Sequence, residues 1–306
     1  MELQLLKQMC NIYAPAGDEG NMKSFILDYI NTNQESWNVK PEIIEGDNFQ
    51  DCIILVFGKP TTAIFAHMDS IGFTVKYDRE LVKIGGPRTK HNYPLWGEDS
   101  QGTIECEMNY AEGSKKAFYK FDREIDRGTQ LVFKCDFRTS DEYVQSCYLD
   151  NRLGCFNALK VAETLENGII CFSCYEETGG GSVGYLGKYI YENYGVRQAL
   201  ISDITWITDG VKHGKGVAIS MRDRGIPRRS YLNKIIAYAK ESKIPFQLEV
   251  EDAGGSDGNQ LQASPYPFDW CFIGAAEDNV HTPDEKVHKN DIKAMIDLYK
   301  YLMEKL

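Results

Sequence analysis

CFSCYEETGGGSVGYLGKYIY, residues 171 to 191, decides how the rest of the chain is read. Cys171 to Tyr175 is a short apolar run of the kind that forms a buried strand. Two adjacent carboxylates, Glu176 and Glu177, stand at its end, ahead of three consecutive glycines. A solvated turn accepts such a pair, whereas burying two like charges side by side is costly unless cations neutralise them. Gly179, Gly181 and Gly184 also spell G-x-G-x-x-G between a strand and a helix-like stretch, with Asp203 closing the next apolar run. That pattern matches the fingerprint of a dinucleotide-binding turn. Turn, metal site and phosphate loop are the three readings to be separated.

A chain of 306 residues can bury a full core, as one large domain or two smaller ones. Charged residues make up 26% and hydrophobic ones 42%, an ordinary globular balance. The net charge of -11 argues against nucleic acid and against anionic membrane surfaces as partners. No apolar run approaches a membrane span, and the first residues carry no basic segment or cleavage site, so a cytoplasmic location is expected. Nine cysteines lie scattered in apolar runs without a C-x-x-C pair, which fits buried free thiols better than disulfides or a thiolate zinc site.

Residues 2–15 and the stretch GDEGNMKSFILDYINTN read as helices, the second with Met22, Phe25, Ile26 and Tyr29 on one face. The strand-like runs CIILVFG and TAIFAHMDSIGFTVKY follow. From about Tyr77 to Val144 short alternating segments (GTIECEMNY, KKAFYKFD, TQLVFKCDF) replace the helical period, an antiparallel β pattern. Helix–strand alternation then returns, with helices expected at 151–166, 182–193, 228–242 and 289–305 and strands at 169–175, 198–202, 215–221, 246–251 and 269–274. The fold expected is α/β, with a mostly parallel central sheet flanked by helices. A catalytic domain of residues 1–76 and 145–306 is interrupted by a small β-rich domain at 77–144.

Open α/β sheets bind ligands beyond the carboxyl ends of their strands. Placed there are His67 and Asp69 after AIFA, Asp150 before the helix at 151, Glu176 and Glu177, Asp203 after QALIS, and His281 after CFIGAAEDNV. Each has a plain explanation on its own: a satisfied core histidine, a helix cap, a turn residue. Convergence of all of them at one sheet edge is less easily explained, because the chain has only five histidines and two fall there. Two His, two Asp and one Glu make a set able to hold two zinc-like ions through N and O ligands, with one glutamate to spare.

The motifs AHMDSIGF, DNRLG, EETGGG, SDIT, GKGVAISMRDR, IPFQLEVEDAGGSDGNQ and VHTPDE, in that order, resemble the glutamyl and tetrahedral aminopeptidase family of dinuclear metallo-exopeptidases. Some members of that family have been labelled cellulases or endoglucanases. The resemblance implies a zinc-exopeptidase-like fold and two divalent ions per subunit, zinc first, with cobalt or manganese as alternatives. It implies that His67 binds one metal and Asp69 fixes its ring. Asp150 would bridge both ions, Glu176 would act as general base and Glu177 as a terminal ligand. Asp203 would bind one ion and His281 the other, and the Asp150–Asn151 peptide would be cis. Peptide substrates and a homo-oligomer follow from the same resemblance.

Chemistry supports this division of roles. Peptide hydrolysis at neutral pH needs a water whose pKa metal coordination has brought to about 7. An unligated carboxylate within reach then takes the proton and returns it to the leaving amine. Adjacent glutamates on an extended strand point to opposite sides, so a bend after Tyr175 is required, and the glycine run supplies freedom for it.

The chain departs from the family where Glu-Glu-Val-Gly-x-x-Gly is usual and EETGGGSVG stands, at Ser70 in HMDS, and in the short β-rich insertion. The function expected is removal of the N-terminal residue of peptides. A carboxypeptidase or N-deacylase on the same scaffold is the nearer alternative, and Arg152, Arg222 and Arg224 are the cations a terminal carboxylate would need. The dinucleotide reading leaves His67, Asp150 and His281 unused and sets two glutamates against a pyrophosphate.

Overall fold

The computed structural model describes residues 3–110 and 116–306. The chain opens with helices α1 (Gln4–Cys10) and α2 (Gly20–Asn33), then strands β1 (Glu42–Ile44), β2 (Ile53–Phe57) and β3 (Ala63–His67). Six strands come next: β4 (Gly72–Val75), β5 (Glu80–Ile84), β6 (Pro94–Asp99), β7 (Gly102–Tyr110), β8 (Ala117–Lys120) and β9 (Gln130–Phe133). Strands β10 (Arg138–Thr139) and β11 (Tyr143–Ser146) lead into α3 (Leu149–Ala162), β12 (Gly168–Ser173), α4 (Val183–Tyr194), β13 (Gln198–Trp206) and β14 (Val217–Ser220). The chain finishes with α5 (Arg229–Ser242), β15 (Phe246–Glu249), α6 (Asp257–Ala263), β16 (Asp269–Asp278), β17 (Glu285–His288) and α7 (Lys289–Lys305).

An eleven-stranded sheet forms the centre, in the order β1-β2-β12-β3-β13-β16-β17-β11-β10, with β14 on β16 and β15 on β14. Its heart, β12-β3-β13-β16, is parallel. The strands outside that heart join it antiparallel, at β2–β12, β14–β16 and β16–β17. The sheet is therefore mixed, which corrects the mostly parallel expectation. The reason is visible in β2: IILVF is buried along its whole length, so it reads like a parallel core strand although it runs the other way.

Every residue of β3 (AIFAH) and β12 (GIICFS) is buried, so both faces of the sheet are covered. Helix α3 packs on β3 and β13 and against α1 and α7, while α4 and α6 pack on each other, α4 on β12 and α6 on β3, β13 and β16. Gly154 lets α3 approach β13, because a Cβ there would collide with the Ser202 carbonyl. That approach carries Asp150, at the first turn of α3, to the carboxyl ends of the parallel strands.

Strands β4-β5-β8-β7-β6-β9 close into a small barrel. In β7, Ile104, Cys106 and Met108 face inward while Thr103, Glu105 and Glu107 face solvent, the period-two alternation the sequence carries. The barrel strands span Gly72 to Phe133, and residues 138–146 of β10 and β11 belong to the central sheet beside β17. The expected limits of 77 and 144 thus fall five residues late at one end and include central-sheet strands at the other. Hydrophobic alternation continues through both regions, so it does not mark where one sheet stops. Glu2 of the first expected helix and Lys115 of KKAFYKFD lie outside the described residues.

Candidate metal centre

His67 ends β3, Asp203 lies on β13 at the same level, and Glu176 and Glu177 follow β12. The backbone turns at Tyr175, which has a left-handed φ of 68°, and residues 176–178 form a single 3₁₀ turn closed by Gly179. The bend thus begins at Tyr175 itself, with the glycines completing it, and the two glutamates project as consecutive residues of a helical turn. Asp150 comes from the start of α3, and His281 follows β16 with a φ of 65°. The Asp150–Asn151 peptide is cis.

These residues form two donor clusters. His67, Asp150 and Asp203 present ligand atoms within 4.8 Å of one another, and so do Asp150, Glu177 and His281. In the first cluster His67 Nε2 stands 3.2 Å from Asp150 Oδ1 and 3.7 Å from Asp203 Oδ2. In the second, His281 Nε2 stands 3.3 Å from both Asp150 Oδ2 and Glu177 Oε2. Asp150 is the common member, one oxygen turned to each histidine.

Glu176 and Glu177 part company here. The Glu177 side chain is 3% exposed and belongs to the second cluster, whereas Glu176 is 19% exposed and outside both clusters; both line the adjoining cavity. Glu176 Oε2 lies 3.9 Å from His67 Nε2. Asp69 is fully buried, and its carboxylate accepts the N–H of Glu176 at 3.1 Å and that of Glu177 at 3.0 Å. It also lies 3.4 Å from His67 Nδ1.

The donor set has the carboxylates and the unpartnered lone pairs that suit a cation. Both ring nitrogens of His67 and Oε1 of Glu177 are buried without a hydrogen-bond partner. Burial pushes the carboxyl groups of Glu176 and Glu177 well above their usual range and that of Asp203 up to about 6. Burial opposes charge on His67 too, but Asp203, Asp150 and Asp69 around it hold its pKa well above the ordinary value. So many acids packed together without compensating cations oppose ionisation. Imidazole and carboxylate donors without thiols are the ligand types of zinc-like ions.

Several contributors were not legible in the sequence. Nδ1 of His281 contacts the Gly86 carbonyl at 3.1 Å, leaving Nε2 for the cluster. That carbonyl comes from the turn after β5, in the barrel. Glu285, buried at the start of β17, accepts the N–H of His281 at 2.9 Å and that of Asp150 at 3.3 Å. The TPDE turn that contains it carries no signal for such a contact. Asp257 accepts from Ser173 at the end of β12.

A cavity of about 540 Å³ opens beside the clusters, walled by Asp223, Glu249, Glu251 and Asp252, with Arg224 as the one cation among its lining residues. Arg152 is fully buried and not among the lining residues, donating to the carbonyls of Met68 and Ile12. Arg222 donates to the Asp223 carbonyl. Of the G-x-G-x-x-G glycines, Gly179 closes the 3₁₀ turn while its carbonyl accepts from Gln260.

Comparison with known proteins agrees with this geometry. A relative in Acetivibrio thermocellus whose name contains the word aminopeptidase is 24% identical over 327 residues, covering 96% of each chain. An aminopeptidase from the archaeon Desulfurococcus kamchatkensis shares the fold with a TM-score of 0.87 at 19% identity, over 99% of this chain and 94% of that one. The TET1 peptidase of Pyrococcus horikoshii, which can assemble into a tetrahedron or a large octahedral shell, gives a TM-score of 0.83 at 20% identity over 99% of both chains. The family model described as M42 glutamyl aminopeptidase matches residues 112–298. With well over half of its length matched by that model, the chain belongs to the M42 glutamyl aminopeptidase family and is a hydrolase of peptide bonds.

Proposed function

We propose that this protein is a two-ion aminopeptidase that removes the N-terminal residue of peptides. The observation that carries the reading is the pair of donor clusters sharing Asp150. His67, Asp150 and Asp203 would hold one divalent ion, and Asp150, Glu177 and His281 the other. Zinc suits these N and O donors, with cobalt or manganese as alternatives. When bound, the ions supply Lewis acidity, which polarises a peptide carbonyl and acidifies a water.

The protein's own residues do the rest. Glu176 faces the cavity and is free of both clusters, so its Oε2 is the atom to take the water's proton and deliver it to the departing amine. Asp69 holds the 176–177 turn by its two N–H groups and stands beside the His67 ring, which keeps the base and two ligands in one frame.

Charge in the cavity separates an aminopeptidase from a carboxypeptidase. Beyond the donor clusters and Glu176, four further acids against Arg224 favour a free α-ammonium group over a terminal carboxylate. Arg152 is occupied by two backbone carbonyls and is not available for a bidentate carboxylate clamp.

The reading extends to organisation. Residues 1–76 and 145–306 would form the catalytic domain and 77–144 the insertion, with limits adjusted toward the barrel strands. Homo-oligomerisation is part of the proposal, on the likeness to the TET1 peptidase. Among the described residues no helix is long and apolar enough to cross a membrane; a cytoplasmic location belongs to the same proposal. The test combines metal analysis of the purified protein with turnover of a panel of aminoacyl chromogenic amides and of their N-acetylated counterparts. Metal-dependent cleavage confined to substrates with a free amine is expected. Equal cleavage of the blocked amides, or activity indifferent to a chelator, overturns it.

A further inference from the structure

We infer that Glu285 is a positioning residue that sets the His281 half of the metal centre by holding two backbone segments at once. Its carboxylate is fully buried, one oxygen 2.9 Å from the His281 nitrogen and the other 3.3 Å from the Asp150 nitrogen. The first contact closes a local turn, four residues back in the chain. The second reaches 135 residues away, to the first turn of α3. Turn closure alone needs only the first.

The chemistry suits the task. A carboxylate is acceptor-only at both oxygens, so it serves two N–H donors without conflict. The two segments it joins carry His281 Nε2 and Asp150 Oδ2, which face each other at 3.3 Å in the second donor cluster. His281 holds a left-handed φ of 65°, a conformation that a non-glycine residue keeps only when its surroundings enforce it. Glu285 is itself fixed, because it opens β17 and pairs with Ser146 of β11. The strand thus references both ligands to the central sheet, and partners that orient ligands typically control metal affinity by 10- to 100-fold.

The inference rests on the two-ion reading above, and one experiment separates the fates of the two. Metal-stripped full-length protein is titrated with Zn²⁺ as wild type, Glu285→Gln and Glu285→Asp, alongside thermal melting of the metal-free forms. Glutamine turns an N–H toward one of the two donors, and aspartate is too short to span both. The wild type is expected to bind two ions. Glu285→Gln should weaken one of them by about 10- to 100-fold while the other stays within about threefold. Raised Zn²⁺ should restore much of its turnover, and melting of the metal-free form close to wild type shows that the loss lies in binding and not in folding. Two ions bound by Glu285→Gln with wild-type affinities overturn the positioning role and leave the two-ion reading standing. Fewer than two ions bound by the wild type overturn both. If Glu285→Gln does not fold, Glu285→Asp decides: weakened binding at one site is expected, and wild-type binding at both sites refutes the role.

Discussion

The Asp69 carboxylate accepts the backbone N–H of Glu176 at 3.1 Å, so the proposed base is held from behind by a residue of the neighbouring strand's loop. Because Asp69 also accepts from Glu177, its two oxygens fix both glutamates of the turn. Asp69→Asn keeps the size but replaces one acceptor by a donor facing an N–H. An unsatisfied buried donor costs about 1–3 kcal/mol, enough to loosen the turn. Turnover should fall by at least about tenfold while Glu176 and Glu177 themselves are unchanged, read by steady-state kinetics on an aminoacyl amide.

Glu176 and Glu177 should separate by variant. Glu176→Gln is expected to retain both ions and to lose about 100- to 10,000-fold in kcat, the usual cost of removing a general base. Glu177→Gln should lose metal and activity together, since an amide is a poor ligand. Metal content and turnover are measured side by side on both proteins. A fully active Glu176→Gln, or one that leaks metal as Glu177→Gln does, would falsify the assignment.

Gly86 offers a test from the barrel side. A Cβ at this position would lie 2.8 Å from His281 Nδ1, closer than real contacts allow. Gly86→Ala should displace the imidazole and weaken one ion by about 10- to 100-fold, seen in a competition assay against a chromogenic chelator. Wild-type affinity in a folded Gly86→Ala protein would show that the turn yields instead.

Stability should depend on pH through Glu19, remote from the donor set in sequence. Its carboxyl is 1% exposed, and burial raises its pKa from 4.5 to about 7. The folded state therefore holds this proton more tightly than the unfolded chain. Stability is complete below about 4.5, falls as pH rises through the interval to about 7, and is flat above it. A rise of that size corresponds to about 3 kcal/mol. Urea unfolding at pH 5 and pH 8 should show the decline in the wild type, and Glu19→Gln should lessen it by an amount of that order.

Ion binding should appear as stability as well as activity. Each ion that binds only the folded chain contributes about 2.7 kcal/mol at a concentration 100 times its Kd. Melting temperature should rise with the logarithm of added Zn²⁺ and fall on chelation. A melting curve indifferent to both would contradict a folded-state metal site.

Much of this was legible in the sequence because it is written locally. Continuous apolar runs announce β3 and β12, and the polar residues that follow them point to His67 and the glutamate pair; Asp203 follows the run QALIS in the same way, although β13 continues past it to Trp206. Strand direction is not written locally, and β2, buried along its whole length, carries nothing that distinguishes it from a parallel strand. α6 was missed because GGSDGNQ has the composition of a turn, and only Ser256 accepting from Gly258 marks its start. β17 gives no signal because it is four residues long and begins on the last residue of TPDE, too few for any period to show. Glu285 and Gly86 escaped for a different reason. Each joins residues distant in the chain through one backbone atom, the Asp150 N–H for Glu285 and the Gly86 carbonyl for His281, and side-chain patterning carries no record of such contacts.

The turn at Gly85 and Gly86 has a consequence for how such proteins diversify. It belongs to the barrel, yet a Cβ on Gly85 would stand 2.9 Å from Glu177 Oε2, as tight as Gly86 is against His281. The barrel is therefore not an interchangeable module bolted onto a finished catalyst. A lineage that reshapes it to admit other peptides, or an engineer who swaps it between relatives, disturbs one of the two donor clusters in the same stroke. Selectivity and metal appetite should then drift together among homologues instead of evolving as separate traits.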